Sequence, residues 1–252
     1  MIKILEIKNC DWAKKIIDSF VRGLKVNNVP FEIINPKDII FDVNSTYVCC
    51  SIEEEVFEIV KKLISEKKYS FYYIDNSYFK FNLYKKYRIT YNGWTNNNIV
   101  VSQKNDRGDK PNFKDWSDKG NYILGLESLN QEKITNEKNW LKESLKKLSD
   151  KYNLTYLIRS KPKKPQLMDY NDELFLSKLI EGSKIVVSHS SGVQLQAMCL
   201  GKPVYSSIYG PLYSYNEKIN FDRLSIINHF YYSEFSKEEM SSGLAWKILK
   251  SY

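Results

Sequence analysis

No apolar run in this chain is long enough to span a bilayer, so no membrane-spanning helix is expected. The first residues, Met1–Lys15, lack the basic, apolar and small-residue order of a secretory signal, and a cytoplasmic location is expected. Histidine is scarce, with His189 and His229 the only two. The four cysteines, Cys10, Cys49, Cys50 and Cys199, have no metal-ligand spacing, so buried thiols are expected and neither disulfides nor a metal site. Acid is outnumbered by base, 30 residues against 38, giving a net charge of +8 and a pI near 9.0. That balance favours a polyanionic partner. It does not by itself identify nucleic acid, because a chain so rich in Lys, Asn, Ile and Tyr also carries the compositional drift of AT-rich coding sequence.

What is present is a folded α/β pattern. A hydrophobic fraction of 42% supports real cores, and 252 residues suffice for one large domain or two compact ones. Strand and helix signals alternate, which favours two small Rossmann-like lobes: 1–118, 119–235, and a last helix, 236–252, that can return to the first lobe. In the first lobe, strands are expected at Ile2–Ile7, Phe31–Ile34, Thr46–Cys50 and Ser70–Ile74. A helix over Asp11–Leu24 places Trp12, Ile16, Ile17 and Phe20 on one face, and a second helix starts at Ser51. In the second lobe, strands are expected at Tyr122–Leu126, Leu154–Ile158 and Ile185–Val187. Helices are expected over Asn136–Lys151, with its Lys and Glu residues on solvent, and over Asp172–Glu181. Ser236 and Glu239 form a Ser-x-x-Glu start for the final helix, which Ser241-Ser242-Gly243 interrupts.

The segment Lys184–Ser207 reads as a strand, a polar turn, a helix, a Gly-Lys-Pro corner and another strand. The turn His189-Ser190-Ser191-Gly192 can cap the helix Val193–Leu200, whose first N–H groups and partial positive charge suit phosphate. A plain helix cap explains the same serines about equally well. Upstream, Arg159 and Lys161 stand at the carboxyl end of a predicted strand, the edge where open α/β sheets bind ligands. A guanidinium there can fork onto phosphate oxygens, and an ammonium can act as a point charge. Lys163 and Lys164 read as a solvated basic loop.

In the first half, Asp75-Asn76 follows a strand, and Tyr87-Arg88-Ile89-Thr90-Tyr91-Asn92-Gly93-Trp94 lies beyond. Asp75 is a candidate general base, with an Asx-turn as the competing role. For Tyr87 and Arg88 the competing role is a half-exposed strand pair. Asn92–Lys119 reads as a long loop and the link between lobes.

The motifs His189-Ser190-Ser191 and Gly201-Lys202-Pro203, with Arg159-x-Lys161, resemble the donor lobe of GT-B glycosyltransferases, especially the capsule and Kdo-transferase-like group. Asp75-Asn76-x-Tyr78-Phe79 and Tyr87-Arg88-x-Thr90-x-Asn92 resemble phage-encoded glycosyltransferases, some of which modify hydroxymethylated pyrimidines in DNA. The resemblance implies a GT-B-like fold of two lobes facing a cleft, and a metal-independent glycosyltransferase without a cofactor. Its co-substrate would be a UDP-sugar or CMP-sugar, its location the host cytoplasm if phage-encoded. It implies catalytic roles for Asp75 and Arg159. Donor contacts are implied for Gly125, Lys161, His189, Ser190, Ser191, Gly192, Gln194 and Gln196, where Gln196 stands in place of the family's ribose-binding acid and Gln194 is its turn-face neighbour. Acceptor contacts are implied for Asn76, Arg88, Asn92 and Trp94, the last as an aromatic that stacks in double-stranded DNA or packs at the lobe junction. Inversion, with Asp75 as base, and retention, with none required, both stay open. The alternatives are a surface-polysaccharide transferase, a sugar epimerase of the same fold, or a nonenzymatic nucleotide- or DNA-binding module.

Overall fold

The structure is a computed structural model that describes residues 1–8, 10–50, 54–79, 86–95, 107, 111–160 and 170–250. The chain divides into two compact units, Met1–Gly108 with Ile227–Tyr252, and Asp109–Ile226.

The first unit begins with β1 (Ile2–Leu5), α1 (Asp11–Val26), β2 (Phe31–Ile34), β3 (Thr46–Cys50), α2 (Glu54–Ser65), β4 (Ser70–Asn76) and β5 (Lys86–Tyr91). Strands β1 to β4 are parallel, and β5 turns back antiparallel to β4. Alternate residues Ile4, Val48, Cys50, Tyr72, Ile74, Tyr87 and Ile89 share one sheet face, and the apolar stripe Ala13, Ile16, Ile17, Phe20 and Leu24 of α1 packs on it.

The second unit holds β6 (Ile123–Leu126), α3 (Leu129–Ile134), α4 (Trp140–Tyr152), β7 (Tyr156–Arg159), α5 (Tyr170–Gly182), β8 (Ile185–Ser188), α6 (Val193–Cys199) and β9 (Val204–Ser206). Its sheet is parallel throughout, in the order β7-β6-β8-β9. Strands β6 and β8 are buried along their length, and Leu141, Leu145 and Leu148 of α4 pack on Ile123, Ile185 and Val187. The apolar run Leu154–Ile158 contributes β7, an edge strand of this sheet: Tyr156, Leu157 and Ile158 are 46%, 46% and 44% exposed. The expected helix Asn136–Lys151 starts only at Trp140, because Asn136 and Asn139 adopt left-handed backbone, φ 60 and 65. Those two asparagines make a turn between α3 and α4.

Helix α7 (Arg223–Tyr231) carries the chain back to the first unit, where β10 (Glu234–Ser236), α8 (Lys237–Ser241) and α9 (Leu244–Lys250) follow. Strand β10 pairs antiparallel with β5 and completes the order β10-β5-β4-β3-β1-β2. Ser236 and Glu239 form the full capping box that their spacing predicts. Gly243, at φ +81, separates α8 from α9. Helix α8 crosses α1 so closely that a Cβ on Gly23 would lie 2.0 Å from the Met240 carbonyl oxygen. The chain is thus α/β, with one mixed and one parallel sheet, compatible with a Rossmann-like fold. Among the described residues no helix is long and apolar enough to cross a membrane.

Candidate functional site

In the second unit the chain runs from β6 to its neighbour β7 and then across to β8 on the other side of β6, so the strand order reverses between β6 and β8. The carboxyl ends flanking such a reversal diverge and leave a crevice. Arg159, Leu126, Ser188 and Ser206 stand in one row across that edge. At about 4.8 Å between neighbouring strands, Arg159 lies roughly 10 Å from Ser188 along the row.

Beyond Ser188 sits His189, with 0% of its side chain exposed. Nε2 lies 2.7 Å from Glu137 Oε2 and 3.1 Å from Thr135 Oγ1, while Nδ1 lies 3.1 Å from Ser190 Oγ. The Thr135 hydroxyl donates to the Gln131 carbonyl, which leaves its lone pairs toward Nε2. These partners select the tautomer with the proton on Nε2, donated to Glu137, and with Nδ1 accepting from Ser190. Burial pushes the His189 pKa down to about 4, so the ring is neutral near pH 7. Burial also raises the Glu137 carboxyl, against a lowering hydrogen bond from Ser207. Trp140 meets the imidazole edge-on at 5.4 Å, and Tyr209 stacks over it at 6.1 Å. Glu137, at 29% side-chain exposure, is where this buried network reaches solvent.

Several residues expected at the donor are occupied otherwise. Ser190 is fully buried against His189. Gln194 is also fully buried, donating to Ser188 and accepting from Leu212 N–H, so it ties the turn to the chain beyond β9. Gln196 donates to Ser177 on α5. Gly125 is a packing position, since a Cβ there would stand 2.7 Å from Leu145 Cδ1. Ser191 and Gly192 remain half-buried at the start of α6, where Ser191 Oγ accepts from Val193 N–H. Helix α6 spans only 7 residues, so its end charge is smaller than the sequence suggests. Arg159 is half-buried and makes no ion pair among the described residues. Lys161, Lys163 and Lys164 lie outside the described residues. The Gly201-Lys202-Pro203 corner precedes β9 and so belongs to the opposite sheet edge. It is clamped by the segment before β6, Ser117 N–H on the Gly201 carbonyl and Lys202 Nζ on the Lys119 carbonyl.

In the first unit Asp75, Arg88 and Glu234 are register partners in one row across β4, β5 and β10. Arg88 Nη2 donates to Asp75 Oδ2 at 2.8 Å, and Asp75 Oδ1 accepts from Asn76 N–H at 2.7 Å. Arg88 is 6% exposed and Tyr87 3%, so neither belongs to a half-exposed pair. Glu234 is fully buried. Its Oε1 takes Ser77 Oγ–H and the N–H groups of Tyr78 and Phe79, holding the turn that follows Asp75. Burial raises its carboxyl pKa, opposed by those hydrogen bonds. Asn92 and Trp94 do not join this group. Asn92 bonds the backbone of Phe71, at the other end of β4 and about 13 Å of strand from Asp75. Trp94 is 2% exposed and stacked on Tyr73 at 4.5 Å, so it packs the core and has no free face for a base.

No family model matches this chain, no curated protein matches it in sequence, and no solved structure matches it. The site stands on its own geometry.

The second-unit crevice offers a carboxylate at Glu137 for hydroxyl groups, the half-buried start of α6, and a guanidinium at Arg159 for an anionic group. Glu137, Thr135 and Ser207 were missed in the sequence. The one local signal for Glu137 was its place between Asn136 and Asn139, which favour turns over helix interior. Glu234 was missed because a three-residue strand carries no period.

Proposed function

We propose that this chain is a GT-B-type glycosyltransferase that moves a sugar from a nucleotide sugar, UDP- or CMP-linked, to a hydroxyl acceptor. The observation that carries the reading is the His189-Ser190-Ser191 turn at the strand-order reversal, directly after Ser188, which stands in the edge row that also holds Arg159. In this reading the phosphate lies toward Arg159 and the half-buried Ser191 and Gly192. The sugar hydroxyls lie toward Glu137, because a phosphate beside that carboxylate would meet like charge. Ser190 and His189 shape the turn from beneath. Arg159 stabilises the phosphate oxygens as the glycosidic bond breaks, and Asp75 is the carboxylate assigned to the acceptor proton.

The proposed acceptor is a hydroxymethylated pyrimidine in DNA, supported by the net charge of +8. A surface polysaccharide is the second reading. It is favoured by the burial of Trp94 and Arg88, which leaves neither available to a flipped base. The test is incubation of the purified chain with a panel of nucleotide sugars and DNA carrying cytosine, 5-hydroxymethylcytosine or 5-hydroxymethyluracil, followed by nucleoside mass spectrometry. A sugar mass increment on hydroxymethylated DNA alone supports the first reading. Nucleotide-sugar hydrolysis without an increment moves the acceptor to glycans. No turnover of any donor removes the transferase assignment.

A further inference from the structure

Two open grooves, of about 370 and 360 Å³, lie along the helical layer of the first unit. The first is lined by Lys15, Arg22 and Lys237, with Asp18 and Glu238. The second is lined by Lys247 and Lys250 beside Asn27 and Trp246. Helix α1 packs against both α8 and α9, so the grooves follow one another along α1, from Lys15 to Asn27. Twelve residues of helix rise about 18 Å, the axial length of roughly five base pairs.

Among the described residues none of these five cations is in an ion pair, and what sets them apart from other unpaired cations is that they line two successive grooves on one helical face. Lys15, Arg22, Lys247 and Lys250 are exposed, and Lys237 is half-buried. Ser19 and Ser241 add hydroxyls to the first groove. An amphipathic helix that seats in anionic lipid adds insertion of apolar side chains to the attraction of its cations. On these three helices the exposed large apolar side chains are Val26 and Leu244, while Trp246 is 9% exposed and committed to the core.

We infer that the α1–α8–α9 face binds the phosphate backbone of double-stranded nucleic acid, with Lys15, Arg22, Lys237, Lys247 and Lys250 as the phosphate contacts. The choice of nucleic acid as polyanion follows the proposed DNA acceptor. The contact itself requires no donor and no turnover.

The test is fluorescence anisotropy with a labelled DNA duplex of about 20 base pairs, without nucleotide sugar, from about 50 to about 200 mM NaCl. Each phosphate contact contributes about −0.9 to the slope of log K against log salt, so five contacts give about −4.5. The variant K15Q/R22Q/K247Q/K250Q is expected to flatten that slope by about 3.6. The control K133Q/K138Q/K142Q/K146Q, which removes the same charge from exposed positions of the second unit, is expected to leave it unchanged. If the fourfold variant fails to fold, K15Q/R22Q and K247Q/K250Q are each expected to give half of the effect. Equal slopes in variant and control overturn the assignment. So does absence of duplex binding by the wild type, or binding to phosphatidylserine vesicles in place of DNA. Failure of sugar transfer with duplex binding intact removes the transferase reading and leaves this surface standing; transfer to a glycan without duplex binding does the reverse.

Discussion

Acidification should destabilise this chain through His189, and by an amount the structure bounds. The imidazole is fully buried and donates from Nε2 to Glu137 while accepting at Nδ1 from Ser190. A second proton on Nδ1 has only the Ser190 and Ser207 hydroxyls to receive it, with Trp140 edge-on to the ring and Tyr209 stacked over it. Burial holds the folded pKa near 4, against 6.5 for the unfolded chain. The unfolded state therefore binds the extra proton first as pH falls. The stability that the neutral ring contributes is complete above pH 6.5, declines below it, and is lost by the time pH passes through about 4. A shift of about 2.5 units corresponds to about 3 kcal/mol. Glu137 runs the other way: its raised carboxyl favours the folded state at low pH and loses that contribution as pH rises through the folded value. Comparison with His189→Gln, which keeps Glu137, largely subtracts that opposing part. Urea unfolding at several pH values between 7 and 4 should show the wild type losing up to about 3 kcal/mol more than the variant. Parallel curves for the two proteins would refute the buried neutral imidazole. With two histidines in the chain, ¹⁵N-histidine NMR reads the same point directly: His189 should show the Nε2–H tautomer and stay neutral at pH 5.5.

Asp75→Ala should cost about 3 kcal/mol in the same denaturation assay, because it strands a guanidinium whose side chain is 7% exposed. Asp75→Asn, which still accepts from Arg88, should cost less than half of that, and a loss below about 1 kcal/mol for the alanine variant would class the pair with weak surface bridges. Gly23→Ala should destabilise by about 1 to 3 kcal/mol despite the better helix propensity of alanine, because its Cβ meets the Met240 carbonyl at 2.0 Å; an unchanged melting temperature would mean that α8 moves freely away. Arg159→Ala, at a half-buried position on the crevice rim, should leave stability within about 0.5 kcal/mol. It should lower sugar-transfer turnover by about 10²- to 10³-fold, and an unchanged rate removes Arg159 from the reaction.

The sequence by itself determined the elements whose signal is local. Ile16, Ile17 and Phe20 of α1 recur at helical spacing because one side of a helix must meet a core, and that stripe faces the sheet. The runs Phe31–Ile34, Thr46–Cys50 and Ile185–Val187 are short, apolar and β-branched or aromatic, and all became strands. Ser236 and Glu239 announced their cap three residues apart, since a capping box is complete within one turn. The His189-Ser190-Ser191 turn was legible for the same reason: it lies between a strand and a helix that are contiguous in the chain.

Tertiary structure alone decided who meets whom. Glu137 reaches His189 across 52 residues, and Glu234 reaches Ser77 across 157. Neither distance leaves a trace in a window of ten. Asn92 and Trp94 looked adjacent to Arg88, but Asn92 finished at the opposite end of β4 from Asp75, because a strand carries residues steadily apart, and Trp94 is stacked in the core on Tyr73. The competing role of Arg88 and Tyr87 as a half-exposed pair fails because both are buried in β5, whose edge pairs with β10 from the far end of the chain. That the apolar run Leu154–Ile158 lies at a sheet edge was decided by strand order, which crossovers set and the composition of the strand does not. Residue type fixes what a segment can form locally; burial, partners and proton affinity belong to the contacts that packing brings together.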